Sequence, residues 1–234
     1  MSWHPDGLDS YQSWTYNLSN PYASEILKKN NWPAQYSMVV YKYNSHGFRG
    51  DEFPRQNNAI AMGCSHTFGL ALPVEYSWVC KLSKMMGVDI SNLGVNSGAL
   101  DTVYRLSRFW IPILRPKYVF LLAPPSLRFE VSNDDVSWEI KNVHLVLDSF
   151  SKNYFSNGWN SDINTKKNLD AVRSICENYG AVLYVLSADH DLPADHGARD
   201  TFHSGPTAHE KVAEKFHTLF IKNEIYISNG DFWI

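Results

Sequence analysis

The sequence predicts an α/β protein, a three-layer α/β/α sandwich around a parallel central sheet. Three observations lead there. Apolar runs of strand length recur along the chain, at Ala59–Met62, Tyr118–Ala123 and Ala181–Leu186, with a more mixed run at Val88–Val95. Segments with helical period lie between them, so strands and helices alternate as in crossover-connected parallel sheets. The best of these runs are apolar at nearly every residue, the pattern of strands covered on both faces. At 234 residues the chain can close one sizeable core of this kind.

Each element has its own signal. Ala59–Met62 is a short buried strand ending at Gly63. Trp78–Met86 is a helix stopped by Gly87, and Val88–Val95 is the second strand. Leu100–Leu114 is a long amphipathic helix despite Pro112 near its end, with Pro116 just beyond. Tyr118–Ala123 is the third strand. Residues 134–160 follow neither period and are expected to form an insertion or loop-rich cover. Asn164–Tyr179 is a helix stopped by Gly180, and Ala181–Leu186 is the fourth strand. The last helix runs over Pro206–Phe220, with Pro206 suited to its first turn. Upstream, alternation over Tyr36–Tyr43 suggests a strand closed by the turn residues Asn44–Gly47. Residues 1–50 read as an aromatic-rich extension packed on a single domain, 51–234.

Composition narrows the function. Apolar residues at 44% and charged residues at 19% exclude the disordered class. A net charge of −3 without any basic run argues against nucleic-acid and anionic-membrane partners. No apolar stretch approaches the ~18 residues of a membrane span, and Met1–Gly7 lacks the layout of a signal peptide, so a cytoplasmic location is expected. Three cysteines without CxxC spacing leave one unpaired in any disulfide scheme, so reduced thiols are expected. Aromatics at 14% fill cores, and any ring left exposed would suit sugar stacking.

Chemistry is concentrated where parallel sheets bind ligands, beyond the carboxyl ends of the strands. Ser65, the Asn92–Gly98 turn and Pro124–Arg128 all fall there. A serine at a strand-to-helix turn is presented at the rim and feels the positive helix end, although such a serine often merely caps the helix. It needs a base, and Asp200-Thr201-Phe202-His203 supplies an imidazole with an acid three residues earlier to orient it. Asp189-His190-Asp191 and Asp195-His196 offer types that zinc or manganese would accept. None has a helix-face spacing such as H-x-x-x-H, and the expectation is no metal and no organic cofactor.

Gly63-Cys64-Ser65-His66-Thr67-Phe68-Gly69 and Asp200-Thr201-Phe202-His203-Ser204-Gly205-Pro206 resemble the first and last blocks of the SGNH (GDSL-type) hydrolase family of esterases and deacetylases. Tyr43–Gly50 is similar to the segment that precedes the nucleophile strand in many such proteins of microbes and their viruses. The resemblance thus extends from about Tyr41 to Phe220, with Asp134–Asn160 not covered by it. It implies a flavodoxin-like sheet, Ser65 as nucleophile, His203 as general base and Asp200 as its orienter. Cys64 stands where the family has an acid that is not a triad member.

The oxyanion donors implied are the N–H groups of Ser65 and of Ser97 or Gly98. The family's third block, Gly-x-Asn-Asp, has no counterpart, since Ala123–Glu130 contains no Asn. Ser126 or Arg128 is the candidate replacement, and an ion pair from Arg128 to Glu130 or Glu139 is the competing reading. One missing donor typically lowers turnover by roughly 10²–10³-fold. The implied activity is hydrolysis of an acyl or acetyl ester, often on a carbohydrate, with acyl transfer to a sugar hydroxyl as a variant. The rivals are a catalytically degenerate module of the same fold that binds glycan or serves in a phage virion, and a metal-dependent hydrolase built on the 189–203 loop.

Overall fold

A computed structural model describes residues 39, 41–54, 59–132, 138–142, 149–156, 158–200 and 202–224. The strands are β1 (Ala59–Gly63), β2 (Ile90–Gly94), β3 (Tyr118–Ala123), β4 (Arg128–Ser132), β5 (Trp138–Asn142) and β6 (Val182–Ser187). The helices are α1 (Ser65–Phe68), α2 (Trp78–Met86), α3 (Leu100–Leu114), α4 (Ser149–Ser156), α5 (Gly158–Asn178) and α6 (Pro206–Lys222), with a 3-10 turn at Val74–Tyr76. Four strands form one parallel sheet in the order β2-β1-β3-β6. The antiparallel hairpin β4–β5 stands apart from it.

Because successive side chains point to opposite faces, each central strand feeds two cores. Ile60, Met62, Val119, Leu121, Leu183 and Val185 point one way, under α3 and α5. Ala59, Ala61, Phe120, Leu122, Tyr184 and Leu186 point the other way, under α2 and α6. Burial on both sides is the physical reason these strands are apolar throughout. The three-layer sandwich expected from the sequence is the architecture observed.

The element bounds differ from expectation in instructive places. The second strand is shorter than 88–95, because Val88 is taken into the close of α2 through its N–H to the Ser83 carbonyl and its carbonyl to the Ser83 hydroxyl. Pro112 is tolerated in α3 because it sits in the last turn, just before the left-handed cap at Arg115. Residues 134–160 are not simply loop-rich: their described parts belong to β5, α4 and the start of α5, which begins at Gly158 rather than Asn164. The start is hidden from a periodicity reading because Trp159 and Ile163 are exposed there while Ser161 is buried. Asn164 and Asn168 are both buried and donate to the Asp101 carboxylate of α3 at 3.1 and 3.0 Å.

Half of the strand expected over Tyr36–Tyr43 lies outside the described residues, as do residues 1–38 and 40 of the expected extension. Within the described part, Tyr43 makes an isolated antiparallel bridge to Arg49 across the turn. Asn44 organises that turn by accepting the N–H groups of His46 and Phe48 on its side chain. Phe48 is buried, and Phe48, His46 and Phe53 surround Trp110 of α3 at ring separations of 5.6, 4.9 and 5.1 Å. Cys64, Cys80 and Cys176 are free thiols, and burial pushes Cys176 up to about 12.

Candidate active site

The strand-to-helix turn after β1 is unusually tight. A side chain on Gly63 would come within 2.2 Å of Thr67 Oγ1 and 2.6 Å of the Leu122 carbonyl. A side chain on Gly94 would meet the Phe68 nitrogen at 2.3 Å. Two glycines therefore let α1 drop onto the ends of β1 and β2. Cys64 is its cap residue, its carbonyl accepting from the N–H groups of Thr67 and Phe68. Ser65 is the first helical residue, 4% exposed. Asn92 ties the helix to β2 by donating to the Thr67 carbonyl at 2.8 Å and accepting from the Gly94 N–H.

His203 arrives from the other side, on the loop between β6 and α6. Its Nε2 lies 3.1 Å from Ser65 Oγ, and its Nδ1 is hydrogen-bonded to Asp200 Oδ2. The carboxylate on Nδ1 fixes that nitrogen as the protonated one, so Nε2 accepts from the Ser65 hydroxyl. Asp200 is itself fixed, its Oδ1 accepting the N–H groups of Phe202 and His203 at 3.0 and 2.9 Å. Burial alone would raise its pKa, but the hydrogen bonds from His203 and Phe202 outweigh that and hold it below the usual carboxylate range. The three sequence-predicted residues are thus brought into one hydrogen-bonded chain.

The other predicted residues divide. The N–H groups of Ser65 and Ser97 have no hydrogen-bond partner among the described residues. Ser97 holds the left-handed φ of 58° in the Val95–Gly98 turn, which is pinned beside Ser65 by Val95 N–H donating to the Gly63 carbonyl. Gly98 is a correction: its N–H closes that turn onto the Val95 carbonyl at 2.9 Å and is not available to a ligand. Ser126 is also held elsewhere, its N–H on Asp189 and its carbonyl accepting from the Ser161 hydroxyl.

Arg128 is directed at the site, its guanidinium 3.4 Å from the Gly98 carbonyl. Its expected partner Glu130 is engaged instead by Thr102 and by both Nε and Nη2 of Arg105. The side chain of Glu139 lies outside the described ones. Among the described residues Arg128 forms no ion pair, and its Nε is buried without a partner.

The acid/imidazole pairs of the 189–196 loop serve the backbone. Asp191 accepts the Ser187 N–H and pairs with Lys215, and Asp195 accepts the N–H groups of Gly197 and Gly205. Among the described residues no group of three or more histidine, cysteine, aspartate or glutamate residues is arranged to hold a metal ion.

Sequence reasoning passed over two neighbours of the triad. His66 follows Ser65 and packs edge-on against His203 at 5.2 Å. Burial, with a smaller contribution from the Arg128 guanidinium, holds it well below the ordinary imidazole value, so it presents a neutral ring to His203. Its adjacency to Ser65 was the available signal. Arg49 is the other, and is taken up below.

Serine, histidine and aspartate thus stand in hydrogen-bonded series at the carboxyl edge of a parallel three-layer sandwich. No protein-family model matches the chain, and no curated protein matches it either. Solved structures of similar fold include a member of the lipolytic protein G-D-S-L family from Veillonella parvula, at 13% identity and TM-score 0.38, covering 71% of this chain and 74% of that one. An acetyl xylan esterase from Butyrivibrio proteoclasticus is similar at 8% identity and TM-score 0.46, covering 76% and 67%. The psychrotrophic esterase EstA from Pseudoalteromonas sp. is similar at 14% identity and TM-score 0.36, covering 76% and 87%.

Proposed function

We propose that the protein is a serine ester hydrolase of the SGNH type, acting on an acyl or acetyl ester. The observation that carries this reading is the placement of His203 Nε2 3.1 Å from Ser65 Oγ with Asp200 on the opposite ring nitrogen. Ser65 Oγ attacks the ester carbonyl carbon while its proton passes to Nε2. The new oxyanion takes hydrogen bonds from the N–H groups of Ser65 and Ser97, and Arg128 supplies the third donor in place of the absent asparagine. Collapse of the intermediate breaks the bond to the alkoxy oxygen, which receives the proton from Nε2 as the alcohol leaves. Water, deprotonated by the same nitrogen, then releases the acid and regenerates Ser65. No step requires a metal or an organic cofactor.

For the alcohol side, the reading is a carbohydrate. Phe202 is 75% exposed, and its ring stands 5.7 Å from that of His203 at the mouth of the site, where a sugar ring would stack. The test is labelling of folded protein with a fluorophosphonate probe, locating the adduct by peptide mass spectrometry. Adduct on Ser65 that is lost in His203→Ala, together with release of acetate from acetylated xylo-oligosaccharides, is the expected result. A folded protein that takes no label at Ser65 would overturn the mechanism. Hydrolysis of p-nitrophenyl acetate without release from any acetylated sugar would overturn the carbohydrate assignment alone.

A further inference from the structure

The Tyr41–Gly50 segment contributes nothing to the chemistry above, yet it holds a buried cation against the nucleophile helix. Arg49 is 3% exposed and makes no ion pair with a carboxylate among the described residues. Its guanidinium donates to the carbonyls of Phe68 at 3.0 Å, of Gly69, and of Leu72 at 2.7 Å. It also lies over the rings of Tyr41 and Phe68, at 4.6 and 5.5 Å from their centroids. Phe68 is the last residue of α1 and Gly69 its left-handed cap. The cation therefore meets the partially negative carbonyl end of the short helix that begins with Ser65, where the Gly69 carbonyl also accepts the Leu72 N–H.

The loop that Arg49 grips also reaches the acid–base loop. Ala71 sits at a left-handed φ of 61°, its N–H donating to Tyr41 Oη at 2.8 Å and its carbonyl accepting from the Arg199 N–H at 3.2 Å. Ala71 and Leu72 form a small buried cluster with Ala198, and the Ala198 N–H donates to the His203 carbonyl. Residues 69–72 are thus bonded on one side to the helix of Ser65 and on the other to the loop of Asp200 and His203.

We infer that Arg49, assisted by Tyr41, is a positioning residue that sets the separation of Ser65 from His203 by holding residues 69–72 between the two halves of the triad. This rests on the triad reading of those residues. A buried guanidinium that met only carbonyls and ring faces would be a poor choice for stability alone, because burying a charge is costly unless it is paired. Its five-donor fork is what one side chain needs to reach carbonyls at positions 68, 69 and 72 together. Lysine, with one ammonium centre, cannot span them.

The test uses the full chain with Arg49→Ala, Arg49→Lys and Tyr41→Phe, each compared with wild type in two ways. One is the rate of fluorophosphonate labelling at Ser65 and the kcat and KM for p-nitrophenyl acetate. The other is backbone amide exchange at Leu70, Ala71 and Arg199, which needs no activity. A misplacement of about 1 Å costs on the order of 10²-fold in rate. Arg49→Ala is therefore expected to lose about that much in labelling rate and kcat, with KM within about twofold, and to recover part of it in millimolar guanidinium but not in equal sodium chloride. Faster exchange at Arg199 is expected alongside.

Labelling and exchange at wild-type rates in a folded Arg49→Ala protein would overturn the inference. So would loss of protection confined to residues 69–71. If Arg49→Ala does not fold, Tyr41→Phe decides by the same amides: accelerated exchange at both Ala71 and Arg199 supports the coupling, and acceleration at Ala71 alone overturns it. A wild-type protein that never labels at Ser65 condemns the hydrolase reading, while the exchange data still judge the brace.

Discussion

Arg128 is a cation whose obvious partner is already taken. Thr102 and Arg105 saturate Glu130, leaving the Arg128 guanidinium against the Gly98 carbonyl at the edge of the turn that carries Ser97. That placement turns an ambiguous residue of the sequence into the candidate third oxyanion donor. Arg128→Ala is expected to lower kcat for a neutral acetyl ester by about 10²–10³-fold, since the interaction is made only as negative charge develops on the carbonyl oxygen. Arg128→Lys is expected to fall between the two. Steady-state kinetics on p-nitrophenyl acetate decide it: a rise in KM with kcat unchanged would make Arg128 a ground-state contact instead. Which arginine a glutamate would choose was not legible in the sequence, because Arg105 lies a helix away and meets Glu130 only once β4 packs on α3.

Among the elements, the turn that leads into Ser65 is decided by steric room. Gly63 and Gly87 both have positive φ, of 152° and 66°, but only Gly63 is crowded: a methyl added there would stand 2.2 Å from Thr67 Oγ1 and 2.6 Å from the Leu122 carbonyl. Nothing lies within 4 Å of the corresponding position at Gly87. Gly87→Ala is expected to cost about 1 kcal/mol for its backbone conformation alone. Gly63→Ala is expected to cost about 3 kcal/mol or more, since α1 must lift from the sheet. Urea unfolding of the two variants measures the difference, and equal losses would show that the turn relaxes freely. The pattern of an apolar run ending in glycine before a serine announces this turn in the sequence. The crowding does not, because one of the atoms that creates it belongs to the neighbouring strand β3.

For the molecule as a unit, a buried histidine on α6 and a half-buried one on α1 couple the layers to pH. His209 of α6 is fully enclosed, and its Nδ1 accepts the Trp78 N–H at the start of α2, 3.1 Å away. Burial, with the charges of Lys81 and Arg49, lowers it to about 3, and burial also lowers His66. Both are neutral in the folded state, whereas the unfolded chain binds their protons below about pH 6.5. Their stabilising contribution is therefore complete above that pH and is lost as pH falls from about 6.5 toward the folded value. The expected slope reaches about 1.4 kcal/mol per pH unit for each histidine. Urea unfolding at pH 7.5 and pH 5 tests this, with His209→Gln expected to be weaker at pH 7.5 but less sensitive to acid. A pH-independent free energy across that interval would contradict the burial argument.

Local pattern was enough to predict the alternation of strands and helices and the two-faced burial of the strands, and to single out the serine, histidine and acid that the fold brings into hydrogen-bonded series. These follow from periodicity, from glycine and proline punctuation, and from residue types whose chemistry is narrow. It hid the start of α5, because before Asn164 the apolar Trp159 and Ile163 are exposed and the buried residue is Ser161. Tertiary packing settled what local pattern cannot encode: which N–H groups remain open, with Ser97 available and Gly98 closed onto Val95, and which arginine pairs with Glu130. It also placed Arg49 under the nucleophile helix. Each of these is an allocation of hydrogen bonds among segments distant in sequence, and it is made only when the sheet brings them to one edge.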